Sequence, residues 1–508
     1  MEKGLRALKS GTDIRGVAVR GVPDHPYTLT DEYIRRITAG FAVWLARGAE
    51  KHIGPMRVSV GHDSRITSEH IRDLVVDELT RAGMMVMDCG LSSTPAMFMT
   101  TVDLGCDGAV QITASHHPYY RNGLKFFTRA GGLDGGDIDR ILDFAEQGES
   151  LRSAVPGKAE SVAYMTDYCA RLREMICQGV NATDFNRPLR GFHIVVDAGN
   201  GVGGFYAEKV LLPLGADISG SVYLEPDGMF PNHIPNPENE EAMASISRAV
   251  TENHADFGVI FDTDVDRAAC VDAQGHEINK NRFIALAARI ATEGIKGATI
   301  VTDSTTSDGL KKFIEQELGG VHHRFKRGYK NVINEAMRLN LEGVDCPLAM
   351  ETSGHAALRE NYFLDDGAYL VTKLIIKLAQ LGKEGKTLED LIAALEEPAE
   401  SAEIRLNIQS EDFREVGNRL IESIARISGG DSRCHVAPDN HEGIRVSFDE
   451  SNGDGWFLVR LSVHDPVIPI NMESRQNGGC RKVARILTEI IGDFGGVDLS
   501  PLKNYVNS

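Results

Sequence analysis

No Cys-x-x-Cys pair occurs in this sequence, and its eight cysteines, at 89, 106, 169, 177, 270, 346, 434 and 480, fall at no spacing that would grip zinc. They read as reduced thiols, mostly in cores. No apolar run approaches the roughly 20 residues that cross a bilayer, so no membrane partner is expected. The opening Met1-Glu2-Lys3-Gly4-Leu5-Arg6 has neither an apolar signal segment nor the Arg- and Ser-rich character of an import leader, and a cytoplasmic protein is expected. Positive charge is short as well: a formal net charge of -19 works against nucleic acid as a partner, because phosphate contacts need basic surface. An anionic ligand therefore needs local positive charge. The run His322 to Lys330 is the densest concentration of it, although a solvated basic turn is the plainer reading.

What is present is an ordinary globular composition, 42% hydrophobic and 25% charged. At about 100 to 200 residues per domain, 508 residues make three or four domains and a cleft between them. Three stretches share one grammar of an apolar strand ending in Asp: Arg57 to Asp63, Phe192 to Asp197 and Thr299 to Asp303. Within each unit a later apolar strand feeds a polar loop: Cys106 to Val110, Ala255 to Phe261 and Pro347 to Met350. Repeats more than a hundred residues apart are domains rather than solenoid modules, whose periods are about 20 to 50 residues. The expectation is three similar α/β domains with mixed sheets covered by helices. From about Ser401 the order changes to a strand (Glu403 to Ile408), a helix (Phe413 to Ile427), two strands and a closing helix (Arg481 to Ile491), a small α+β layer. The acidic, Pro-containing Leu395 to Glu400 reads as the linker before it.

The loops carry the chemistry. Thr113-Ala114-Ser115-His116-His117-Pro118 follows a buried strand and presents a nucleophile beside an imidazole; Asn122-Gly123 reads as a turn that returns the chain through Lys125. In Asp262-Thr263-Asp264-Val265-Asp266-Arg267 three carboxylates at alternate positions repel unless a cation lies between them, and oxygen ligands favour Mg²⁺ or Ca²⁺ over zinc. An EF-hand is excluded, since its obligatory glycine is here Arg267. Glu351-Thr352-Ser353-Gly354-His355 offers an acceptor, a hydroxyl and an imidazole suited to sugar hydroxyls and proton transfer. Arg460-Leu461-Ser462-Val463-His464-Asp465-Pro466 can clamp a phosphate. Gly199-Asn200-Gly201-Val202-Gly203-Gly204, with Glu225 further on, fits a dinucleotide fingerprint, but it begins in mid-chain, and a nicotinamide enzyme has no use for three clustered carboxylates.

Assembled in this order, the loops resemble those of the α-D-phosphohexomutase superfamily, in particular its phosphomannomutase/phosphoglucomutase and phosphoglucosamine mutase branches, from Gly11 to about Glu473. The resemblance implies that Ser115 carries a phosphoryl group and that Mg²⁺ is held by Ser115, Asp262, Asp264 and Asp266. It also assigns Glu351 and Ser353 to sugar hydroxyls, and Arg15, from Gly11-Thr12-Asp13-Ile14-Arg15-Gly16, to the catalytic site beside Lys125 and Arg267. His116 is expected at the transferring phosphate, Lys125 and His355 in proton transfer, Lys326 in the third-domain loop, and Arg460, Ser462 and His464 at the non-reacting phosphate. Three departures stand out: His117 where the family usually has Asn, a loop at Asp262 to Arg267 that is less glycine-rich, and Val463-His464-Asp465 in the phosphate loop.

The implied molecule has four domains, at 1–158, 159–295, 296–398 and 399–508, each giving one loop to a central cleft. Its implied activity interconverts hexose 6-phosphate and hexose 1-phosphate through a phosphoserine and a hexose 1,6-bisphosphate, which also serves as activator. Small hexose phosphates are the expected partners. Phosphoglucosamine mutase is the neighbouring alternative, and a non-catalytic sugar-phosphate-binding regulator is the alternative of another class.

Overall fold

The computed structural model describes residues 4–48, 55–410, 412–462 and 465–508. They fall into two compact units, one of residues 1–291 with 353–390, the other of 292–352 with 391–508. No helix among the described residues is long and apolar enough to cross a membrane.

The first unit holds two mixed sheets. In the larger, Gly108–Ile112 runs parallel to Arg57–His62 and antiparallel to Arg121–Thr128, which in turn pairs antiparallel with Asp13–Val17. Every residue of Gly108–Ile112 is buried, as a strand covered on both faces must be, which is why it reads as a continuous apolar run rather than an alternating one. The helices Asp31–Gly48 and Gly135–Glu146 pack together, while Thr94–Asp103, capped by the Ser93 hydroxyl, lies against Gly108–Ile112. The second sheet repeats the plan. Phe257–Phe261 runs parallel to Ile194–Asp197 and antiparallel to Ala268–Asp272, so its connecting loop, residues 262–267, joins two antiparallel strands as the loop around Ser115 does. The hairpin Ala356–Leu358 with Leu364–Asp365 completes the parts of this unit that matter to the site.

In the second unit Thr299–Asp303 runs parallel to both Val321–Phe325 and Leu348–Met350. A separate antiparallel sheet is ordered Glu400–Asn407, Val467–Ser474, Gly455–Val459, Ile444–Ser447, His435–Val436, and the helices Phe413–Ser428 and Gly479–Ile491 supply apolar side chains to its core. Of Leu395 to Glu400, expected as a linker, residues 395–399 carry no helix or strand, while Glu400 opens the strand Glu400–Asn407.

Four local expectations change. Asn122-Gly123 is not a turn but the start of Arg121–Thr128; the reversal lies at Pro118, whose carbonyl accepts from Arg121 N. Glycine is needed there for closeness: a Cβ on Gly123 would strike the carbonyl oxygens of Ile14 and Thr113, so the missing side chain lets three backbones approach. The basic run is a strand ending at Phe325 and a helix, Tyr329–Leu341, rather than a solvated turn, with His322 and Arg324 buried. After the glycine-rich Gly199 to Gly204 the regular helix is only the short π-helical Tyr206–Leu211, and a Cβ on Gly201 would meet the backbone of Thr263. Those glycines pack one loop against another. The last region has four strands after its first helix where two were expected, the extra ones being His435–Val436 and the long Val467–Ser474 that follows the loop at Arg460.

Candidate active site

Ser115 sits one turn beyond the end of Gly108–Ile112 with φ +52, in the left-handed region that an L-residue adopts at a cost. Its own N–H donates to Thr113 Oγ1 at 2.9 Å. That twist turns Oγ toward the loop of the second sheet, where it donates to Asp262 Oδ2 at 3.2 Å, accepts from Arg267 Nη2 at 3.1 Å and lies 3.2 Å from His116 Nδ1. Arg267 Nη2 also donates to His116 Nδ1, which makes Nδ1 a lone-pair acceptor. Burial, reinforced by Arg267, His117 and Arg15, drives the His116 imidazolium out, and the ring is neutral. His117 stacks on it, ring centroids 5.2 Å apart, and is itself pushed down to about 3 by burial and by Arg15 and Arg121.

The aspartates of residues 262–266 are fully buried, and Val265 between them has φ +67, a strained conformation for a β-branched residue. Lys125 Nζ spans Asp264 Oδ2 (2.8 Å) and Asp266 Oδ2 (2.6 Å), and Thr94 donates from N to Asp264 O at 2.9 Å and from Oγ1 to its carboxylate. Arg267 is held by Asp262 Oδ2 through Nε (3.1 Å) and by Asn236 Oδ1 through Nη1 (3.0 Å). Burial and the repulsion of Asp266 push the Asp262 carboxyl far up; at Asp266 burial pulls the same way but is overruled by Lys125, His355 and Arg267, which keep it ionised. Asp264 Oδ1 and Asp266 Oδ1 are buried with no hydrogen-bond partner, and ligand atoms of Asp262, Asp264 and Asp266 all lie within 4.8 Å of one another. Unpaired carboxylate oxygens converging at that spacing fit a hard divalent cation of the Mg²⁺ class.

His355 joins the same site from the far hairpin. Its Nδ1 bonds Asp365 Oδ2 and stands 3.9 Å from Asp266 Oδ1; burial lowers its pKa, but Asp365 and Asp266 outweigh burial and raise it to about 9. Arg15, paired with Asp13 at 2.7 Å, lies opposite Gly123 in its sheet, and Ser353 is buried.

In the second unit, Glu351 accepts from the backbone N–H of Gly328, while Lys326 is exposed. Arg460 faces Glu442 at 4.0 Å with its Nε unpaired and buried, and Ser462 Oγ accepts from Asp465 N at 3.3 Å. Val463 and His464 lie outside the described residues.

Several partners escaped the sequence reading. Asp365 follows His355 by ten residues in Leu364-Asp365-Asp366-Gly367 and orients it. Glu442 accepts from Ser304 Oγ (2.6 Å) and from Arg327 N (3.0 Å) as well as facing Arg460. Arg65, two residues past Asp63 in the first strand-to-loop unit, reaches the loop of Ser115 from behind. An Asp-x-Arg step after a buried strand was the available signal.

Three family models, described as phosphoglucomutase/phosphomannomutase alpha/beta/alpha domains I, II and III, match residues 8–152, 167–275 and 279–398. A phosphomannomutase of Salmonella montevideo is 30% identical over 445 residues, covering 85% of this chain and 90% of that protein. A phosphoglucomutase of Neisseria gonorrhoeae is 27% identical over 487 residues, covering 96% of this chain and 97% of its own. The crystal structure of a phosphoglucomutase/phosphomannomutase family protein from Burkholderia thailandensis is similar at a TM-score of 0.79 and 25% identity, over 97% of this chain and 99% of that one.

Proposed function

The chain belongs to the phosphoglucomutase/phosphomannomutase family and is a phosphohexomutase, an isomerase; from that premise we propose that it interconverts hexose 6-phosphate and hexose 1-phosphate through phosphorylated Ser115. The observation that carries this reading is the setting of Ser115 Oγ, a buried hydroxyl shared by a carboxylate, a guanidinium and a neutral imidazole.

The reaction runs in two transfers. The free sugar hydroxyl attacks the phosphorus on Ser115, the phosphorus–Oγ bond breaks, and a hexose 1,6-bisphosphate forms; the bisphosphate turns over and returns its other phosphoryl group to Oγ. Each transfer removes a proton from the attacking oxygen and restores one to the leaving oxygen. Asp262 Oδ2 and His116 Nδ1 are the acceptors beside Ser115 Oγ, while Lys125 and the His355–Asp365 pair are the candidates on the sugar side. Arg267, with Arg15 nearby, offsets charge on the moving phosphoryl group, the main work of such transfers. Asp262, Asp264 and Asp266, with a phosphate oxygen on Ser115, would hold Mg²⁺, which supplies Lewis-acid stabilisation of that charge. Glu351, Ser353 and Lys326 are assigned to the sugar, and Arg460 and Ser462 to the phosphate that is not reacting. His464 and a hexose 1,6-bisphosphate activator remain part of the same proposal.

Relatives named phosphoglucomutase and phosphomannomutase support glucose or mannose phosphates ahead of glucosamine phosphate. The test is a coupled assay of the Mg²⁺-loaded protein with glucose 1-phosphate, mannose 1-phosphate and glucosamine 1-phosphate, each with a trace of its 1,6-bisphosphate, beside Ser115→Ala. Turnover of one sugar that vanishes in the variant is the expected result. Turnover surviving in Ser115→Ala overturns the phosphoserine route, and binding without turnover in the parent points to a sugar-phosphate regulator.

A further inference from the structure

We propose that Arg65 is the positioning residue that holds the Ser115 loop in its reactive shape, and that Phe230 seals it there; the catalytic half of this inference rests on the reading of Ser115 as phosphoryl carrier. A guanidinium has five N–H donors in a fixed plane. In this protein all five are matched. Nε donates to Asp63 Oδ2 at 3.1 Å, Nη1 to the carbonyls of Pro118 and Arg121 at 2.9 Å each, and Nη2 to the carbonyls of His117 at 2.7 Å and of Ser115 itself.

Four of those acceptors are backbone oxygens of one loop. Their convergence on a single point follows from the left-handed Ser115, which rolls its carbonyl inward while sending Oγ to Asp262 and Arg267. Carbonyl dipoles so gathered in a buried place repel one another and lack water, and a planar cation answers both costs. The arginine is in turn fixed. Asp63, wholly buried, accepts its Nε and its backbone N–H and is steadied by the Ser68 hydroxyl at 2.8 Å. The ring of Phe230 lies with its centroid 5.2 Å from the guanidinium carbon, and a Cβ on the neighbouring Gly228 would collide with the backbone of residues 64–66. Ser115 is thereby gripped from two sides, by Arg267 at the reacting hydroxyl and by Arg65 at the peptide behind it.

Lysine keeps the charge but has three donors, so Arg65→Lys must release at least two of the five acceptors. The expected result is a kcat about 100-fold lower with KM for the sugar phosphate within about 3-fold, the signature of a misplaced reacting group rather than lost binding. Hydrogen exchange supplies a readout independent of turnover: the amides of His117 and Arg121 should lose protection in the variant while those of Phe257–Phe261 keep theirs. A kcat within about 3-fold of the parent, or unchanged exchange in the loop, overturns the proposal. If the parent turns over no hexose phosphate, the functional reading fails and the exchange measurement alone decides the role of Arg65. If Arg65→Lys does not fold, Phe230→Leu takes its place, with a kcat about 3- to 10-fold lower, KM unchanged and faster loop exchange expected; no change in either overturns it.

Discussion

The acidic loop shows how much one carboxylate oxygen decides. Asp264 gives Oδ2 to Lys125 and Thr94 and leaves Oδ1 unpaired, so Asp264→Asn keeps the shape but removes one of the negative charges that a divalent cation needs. Mg²⁺-dependent turnover should fall by at least about 100-fold in this variant, checked by titrating Mg²⁺ in the coupled assay; full activity would remove Asp264 from the metal set. His355 makes a pH prediction. Its pKa is raised to about 9 by Asp365 and Asp266 against burial, so its stabilising contribution is complete below its ordinary value of 6.5 and is lost as pH rises through about 9. His355→Gln should cost about 2 to 3 kcal/mol at pH 7 and much less at pH 10. Urea midpoints of both proteins at the two pH values measure this, and a pH-independent difference would contradict the ion pair.

At the scale of elements, a strand's apolar run and the polar residues just past its end were legible along the chain, because both are local. Register was not. Asn122-Gly123 is a turn pair by composition, yet Arg121–Thr128 absorbs it, since the Asn122 amide donates to Thr67 Oγ1 and Ser68 Oγ and Gly123 sits where Ile14 and Thr113 carbonyls crowd. Gly123→Ala forces backbone against backbone and should cost about 1 to 3 kcal/mol, with thermal melting as the check. A melting point equal to the parent's would mean that the strands part easily. The proposed phosphate clamp at Arg460 makes a kinetic prediction. Arg460 follows Gly455–Val459 and faces Glu442 at 4.0 Å, so Arg460→Ala should raise KM about 10-fold or more while lowering kcat less. An unchanged KM would count against the clamp.

Across the molecule, the second unit is joined by a charge network between segments far apart in the chain, two buried arginines meeting on the exposed Asp308. Asp308 receives Arg324 and Arg445, each at 2.9 Å; Arg445 lies 3.6 Å over the Trp456 ring, and Trp456 Nε1 donates to Glu473 at 3.1 Å. Burial raises Glu473 to about 7 despite Arg445. An acid raised in this way favours the folded state below its ordinary value of 4.5 and loses that advantage as pH climbs through about 7. Between pH 5 and pH 8 the parent should therefore lose about 2 kcal/mol that Glu473→Gln does not lose. Equal slopes in the two proteins would show that Glu473 is already ionised at pH 5.

By itself the sequence determined the repeated strand-and-loop plan and singled out Ser115, the three aspartates, Arg267 and His355 as candidates, because hydroxyl, carboxylates and imidazole lie in short motifs at strand ends whose apolar lead-in is read locally. Only the tertiary structure decided who holds them: Thr94 on Asp264 across 170 positions, Arg65 on the carbonyl of Ser115 across 50, Phe230 over Arg65, Glu442 between Ser304 and Arg460. Those partners answer to buried carbonyls and carboxylates that exist as neighbours only after the sheets have paired, and hydrogen bonds formed by folding leave no period along the chain.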